Sequence, residues 1–162
     1  DVIYRYDGSF NFGFGAVEGK FPIYLRAEGS SLYPEWAKSN EQTPVKIMRL
    51  SDFLNRSLSK NEGIDVLKLN CEGSEYDIIQ DLYSSGHILR FREILVQFHK
   101  IEGYQQKQAK VEGILRQFFT KEHDYKWQLW RKNLQELRSV PESNPVLGSL
   151  MSILSPNLIP AF

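Results

Sequence analysis

The run Ile64-Asp-Val-Leu-Lys-Leu-Asn70, followed at once by Cys-Glu-Gly-Ser-Glu75, limits what this chain can fold into more than any other stretch. An apolar run with a single lysine reads as a strand covered on both faces. Behind it, Ile78, Ile79 and Leu82 recur at helical spacing within Tyr76–Tyr83, and Ser84-Ser85-Gly86 ends that helix. A second buried-strand pattern, Glu93–Phe98, comes next. Gln105–Thr120 then reads as a helix carrying Val111, Ile114, Leu115, Phe118 and Phe119 on one stripe. Tyr125–Trp130 and Glu136–Val140 read as closing strands, in antiparallel or hairpin form. Strand, helix, strand, helix with apolar strands predicts an α/β fold around a mostly parallel sheet.

The flanks are less regular. The first forty residues are rich in glycine and aromatics, with strand-like pieces at Val2–Tyr6 and Phe21–Leu25. Val45–Arg49 alternates like a strand, and Leu50–Leu54 resembles a short helix that Ser51 or Asp52 could cap. Residues 1–140 read as one α/β domain. Residues 141–162 read as an apolar extension broken by Pro145, Pro156 and Pro160, either docked or acting as an interfacial or partner-binding segment. Composition removes some function classes. The 20 Lys and Arg balance the 20 Asp and Glu, so no net field draws the chain to nucleic acid. Arg131 and Lys132 beside Trp127 and Trp130 read as a solvated strand edge rather than a base-stacking platform. One cysteine and three scattered histidines offer no metal-ligand spacing, so no metal is expected. The single cysteine also suits a reducing, cytoplasmic setting, and no apolar run reaches the roughly 18 residues of a membrane helix.

Chemistry concentrates where the 64–70 strand gives way to its helix, because ligands of open α/β sheets bind at the carboxyl ends of the strands. Asn70 both donates and accepts, Glu72 and Glu75 supply carboxylates, and Gly73 permits a turn that other residues resist. Gln97-Phe98-His99 closes the next strand. If the two strands are neighbours, Asn70, Glu72 and His99 converge on one cleft, with His99 as a candidate general base. The competing reading is structural: a Glu-Gly turn whose carboxylates favour the positive end of a helix, with a histidine held in the core.

These residues resemble a known family. Ile64–Ile79 is similar to the central signature of FkbM-type S-adenosylmethionine-dependent methyltransferases, a strand ending in D-x-E-G-x-E. Gly15–Leu25, the serine loop Gly29–Tyr33, Val45–Leu54 and Glu93–His99 resemble further family segments in the family's order, so the resemblance covers roughly Phe14 to Val140. It implies a Rossmann-like sheet, S-adenosylmethionine as cofactor, and methyl transfer to a hydroxyl of a sugar or small molecule. It further implies that Asn70 and Glu72 orient the acceptor or the methionine end of the cofactor, with His99 as base. Glu75, Gly73 and Gln97 are implied as support, and Ser30, Ser31 and Tyr33 as the rim of the cofactor pocket. Asn70 and Gln97 depart from the family's usual Asp and Glu.

Spacing adds one expectation. Only 55 residues separate Gly15 from Asn70. With helices averaging about 11–12 residues, strands 5–6 and loops 4–6, a Gly-rich cofactor loop and two further strand–helix units do not fit between them. Gly13 and Gly15 are therefore expected in turns, and the chain is expected to represent the C-terminal portion of the domain. Two readings of function follow. One is an FkbM-like methyltransferase. The other is a non-catalytic α/β module whose open sheet edge is covered by a second copy or another partner.

Overall fold

The computed structural model describes residues 10–27, 29–59 and 62–133. The strand pieces expected at Val2–Tyr6 and Glu136–Val140, and the extension after Pro141, lie outside the described residues. The fold is mixed α/β with two sheets. The smaller sheet joins β1 (Gly13–Gly15), β2 (Gly19–Tyr24) and β3 (Gln42–Arg49), with β3 central, parallel to β1 and antiparallel to β2. The larger has the order β4 (Ile64–Leu69), β5 (Phe91–Val96), β7 (Gln128–Lys132), β6 (Phe119–Asp124). In it β4 and β5 run parallel, and β7 lies antiparallel between β5 and β6. The expected parallel neighbours are thus present, but among the described residues the sheet is not mostly parallel, since only the β4–β5 pairing is, and its hairpin joins β6 to β7 rather than Tyr125–Trp130 to Glu136–Val140. The helices are α1 (Pro34–Ala37), α2 (Leu50–Ser57), α3 (Glu75–Ser84) and α4 (Tyr104–Leu115). No helix among the described residues is long and apolar enough to cross a membrane.

Tyr76, Ile78, Ile79 and Leu82 of α3, Val111 and Leu115 of α4, and Ile94, Val96 and Trp130 of the larger sheet make the core, each 0% exposed. Full burial of such side chains stabilises by about 1.5–3 kcal/mol apiece relative to exposure. Gly13 and Gly15 sit in β1 rather than in turns, because the Ile47 side chain of β3 fills the space beside them. A Cβ at Gly15 would lie 2.9 Å from Ile47 Cγ2. The 105–120 helix stops at Leu115, and Phe119 begins β6, so the stripe that continues through Phe118 and Phe119 turns a corner while staying buried. Tyr125–Trp127 forms the turn of the β6–β7 hairpin rather than the start of a strand. The β4 strand is also less buried than its composition implies. It ends the sheet, and Asp65, Val66 and Lys68 are exposed, Val66 by 48%.

The start of α2 is not capped by its own Ser51 or Asp52. Asp81 of α3 reaches across instead, accepting from the Ser51 backbone N–H at 3.0 Å, the Ser51 hydroxyl at 2.9 Å and Arg49 Nε at 2.8 Å. One buried carboxylate thereby ends β3, starts α2 and fixes α3. Asp81→Ala is expected to cost about 2–3 kcal/mol, since it leaves a buried N–H and hydroxyl unsatisfied. Urea denaturation checks this, and a loss within about 0.5 kcal/mol would show that water replaces the carboxylate.

Candidate active site

The β4–α3 turn builds the site. After Asn70 the backbone enters the left-handed region twice in succession, at Glu72 (φ 49°) and Gly73 (φ 112°). A glutamate in that region carries a strain of about 1–3 kcal/mol, which surrounding contacts must hold. The Ser31 hydroxyl donates to the Glu72 carbonyl at 2.5 Å while accepting from the Tyr33 N–H at 3.0 Å. Trp36 Nε1 of α1 donates to Glu72 Oε2 at 2.7 Å. The loop of residues 29–33 and the short helix α1, which Pro34 initiates, therefore clamp the turn from above.

Below the turn, Glu75 is 0% exposed and its carboxylate spans two strand ends. Its Oε2 accepts from the Gly73 N–H at 3.0 Å, and its Oε1 accepts from the His99 N–H at 2.6 Å. The His99 ring is 4% exposed, with Nδ1 3.1 Å from Glu75 Oε1 and Nε2 3.3 Å from Glu72 Oε2. Two carboxylates beside the ring favour its protonated form. Burial alone would disfavour that charge. The hydrogen bond to Glu75 and the fields of Glu75 and Glu72 outweigh burial, with Lys126 opposing, and the net shift of His99 is upward. Trp36 packs edge-on against the ring at 5.0 Å between centroids, and the Tyr76 hydroxyl donates to the His99 carbonyl at 2.8 Å.

The structure thus brings Glu72, Gly73, Glu75 and His99 into one locked unit, with Ser31 and Tyr33 attached. Asn70 stands at the exposed end of β4, and Gln97 is half-buried beside it, its N–H continuing the ladder to the Leu69 carbonyl at 3.0 Å. Ser30 bonds within its own loop, to the backbone of Arg26. Between the smaller sheet and the turn lies a cavity of about 260 Å³, bounded by Phe14, Ile23 and Ile47 on its apolar side and by Ser31, Asn70 and Glu72 on its polar side. Cys71 also borders it, but burial, then Glu75, pushes its thiol up to about 11, so it is not a nucleophile at neutral pH. The sequence reading missed Trp36 and Asp77. Asp77 accepts from the Tyr33 hydroxyl at 2.6 Å, and burial first, then this contact, shifts the Tyr33 phenol upward. No local pattern marks either residue.

A pH dependence follows from His99. A folded-state pKa above the unfolded value means the folded state binds more protons, so stability falls as pH rises between the two. The contribution of His99 is complete below about 6.5 and is lost as pH climbs through the folded value. Thermal melts from pH 6 to 9 are expected to show this decline, and His99→Gln is expected to flatten it. An unchanged slope in the variant would assign the decline to another group.

A family model described as "Methyltransferase FkbM domain" matches residues 6–127. No significant match is found among curated proteins or among solved structures.

Proposed function

Because the chain belongs to the FkbM methyltransferase domain family, we propose that it transfers a methyl group from S-adenosylmethionine to a hydroxyl of a sugar or other small molecule. The observation that supports this reading best is the polar corner formed by Asn70 and Glu72 at the carboxyl end of β4, bordering a cavity. Among the described residues Glu72 Oε1 has no partner, since the contacts of Trp36 and His99 both fall on Oε2. A free carboxylate oxygen beside an exposed amide suits the ammonium and carboxylate of a methionyl end, or an acceptor hydroxyl. The cavity is slightly below the ~300 Å³ at which sites begin to enclose drug-sized ligands. The fit is therefore to one end of the cofactor, with the remainder on open surface. The larger sheet, in which β4, β5 and β6 share one direction and β7 opposes them, supports reading the fold as the C-terminal portion of a Rossmann-like methyltransferase sheet.

When bound, the cofactor supplies an electrophilic methyl on a sulfonium. The chain's residues then have to align a hydroxyl with it and draw off the hydroxyl proton. Asn70 orients the ligand through its amide. Glu72 Oε1, with two lone pairs, accepts from the ammonium of the methionyl end and from the acceptor hydroxyl. His99, buried between Glu75 and Glu72, holds Glu72 in place, so the base role expected for it passes to Glu72 in this reading. Glu75 and Gly73 keep the turn in its left-handed form.

Calorimetric titration with S-adenosylmethionine and its demethylated product tests the reading. A Kd of about 1–100 μM, equivalent to about −8 to −5.5 kcal/mol, is expected. Asn70→Ala and Glu72→Gln are each expected to weaken it about tenfold or more, the worth of one charge-assisted hydrogen bond. The absence of binding to the folded chain would overturn it.

A further inference from the structure

The pairing registers place a second set of polar groups beside this corner. Lys68 of β4 pairs with Leu95 of β5, and Leu95 with Leu129 of β7. Side chains alternate along strands, so residues two positions further toward the carboxyl edge, Asn70, Gln97 and Trp127, stand in one row on one face of the sheet. This is the face opposite Leu69, Ile94, Val96 and Trp130, which form the core. Asn70 is exposed, and Gln97 and Trp127 are half-buried. Lys68 is exposed and rests its ammonium 5.0 Å from the centre of the Trp127 ring. Lys126, exposed in the same hairpin turn, adds a second positive charge.

The charges of this face are unevenly satisfied. Its carboxylate Glu93 is taken by Arg131 at 3.1 Å. Among the described residues neither Lys68 nor Lys126 has a carboxylate partner, and Lys68 has an aromatic face instead. Two primary amides present donors and acceptors at the spacing of neighbouring strands, which suits adjacent hydroxyls. An indole offers a flat apolar surface to the C–H face of a ring, and an ammonium poised over it is ready to meet an anion.

We propose that this row is the acceptor subsite, and that the acceptor is a hydroxylated anion: a sugar or polyol carrying a carboxylate or phosphate, whose charge Lys68 meets. The proposal rests on the methyl-transfer reading and names its substrate class. It places the acceptor hydroxyl next to Asn70 and Glu72, with the rest of the molecule running across Gln97 onto Trp127.

The test is a nitrogen-15 NMR titration of the whole chain with glucuronate, glucose 6-phosphate and, as the neutral control, glucose. The side-chain amides of Asn70 and Gln97 and the indole N–H of Trp127 are expected to shift together. At least one of the two anions is expected to bind about tenfold more tightly than glucose, as one charge-assisted hydrogen bond would give. The two anions separate a phosphate preference from a carboxylate preference. Lys68→Met is expected to abolish the advantage over glucose, with Lys126→Met as a second variant should the first fold poorly. Equal affinity for glucose, shifts confined to other residues, or no shift at all would each overturn the proposal. Titrating the demethylated cofactor product into the same sample separates the two readings. Cofactor binding with a silent row defeats the acceptor class alone, whereas a responsive row without cofactor binding defeats the methyl-transfer reading and leaves the anion subsite standing.

Discussion

Glu75→Ala is expected to lower stability by about 4 kcal/mol, near the top of the range for a single substitution. Glu75 is 0% exposed and accepts from three donors: the N–H of Gly73, the N–H of His99 and the His99 ring. Its removal leaves the buried His99 ring with Glu72 as its remaining carboxylate contact and leaves two buried backbone donors unpaired. In a chain of this size the loss corresponds to a fall in Tm of roughly 10 °C. The double variant Glu75→Ala, His99→Ala is expected to be less damaged than the sum of its parts, because it also removes the ring that has lost its partner. Urea denaturation of the two single variants and the double closes that cycle. A loss below about 1 kcal/mol for Glu75→Ala, or simple additivity, would show that Glu75 is not the counter-charge of His99.

Gly73→Ala is expected to cost about 3 kcal/mol for two separate reasons, left-handed strain and overpacking. At φ 112° an L side chain is strained whatever surrounds it, and a Cβ there would sit 2.7 Å from both Ile101 Cγ2 and Tyr33 Cδ2. Gly103 is the matched control. It also has a positive φ, 67°, but nothing lies within 4 Å of its Cβ position, so Gly103→Ala meets the conformational penalty alone, about 1 kcal/mol. Parallel thermal melts of the two variants check the difference. Equal losses would mean that the Tyr33 and Ile101 side chains move aside at no cost. Because Tyr33 belongs to the clamp over the turn, the Gly73 variant is also expected to loosen Glu72.

The legible parts of the fold were those in which a local pattern and its burial agree. Ile64–Leu69, the turn at Gly73 and the Ile78, Ile79, Leu82 stripe fall as expected because strand, turn and helix each carry their own signal within nineteen residues. The boundary at Leu115 was not legible, since Phe118 and Phe119 continue the helical spacing and are buried just as a helix would bury them. The exposure of Val66 was not legible either. An apolar strand composition does not reveal that β4 ends its sheet. At the site, the sequence pointed to Glu72, Glu75 and His99 through their places at strand ends. It did not reveal that the imidazole lies between two carboxylates, nor that Trp36, 36 residues from Glu72, holds the same carboxylate. Those are facts of tertiary approach with no periodicity to announce them.

The chain order of the two sheets has a kinetic consequence. Among the described residues every strand of the smaller sheet comes from residues 13–49 and every strand of the larger from residues 64–132, so each can close its ladder without waiting for the other. Short loop closures of this kind favour rapid, independent nucleation. Ser31 and Trp36 belong to the first segment, while Glu72, Glu75 and His99 belong to the second. The bond from the Trp36 indole to Glu72 therefore forms only when two already ordered halves collide and dock. The site is thus expected to form late in refolding, and the environment of Trp36 reports its completion.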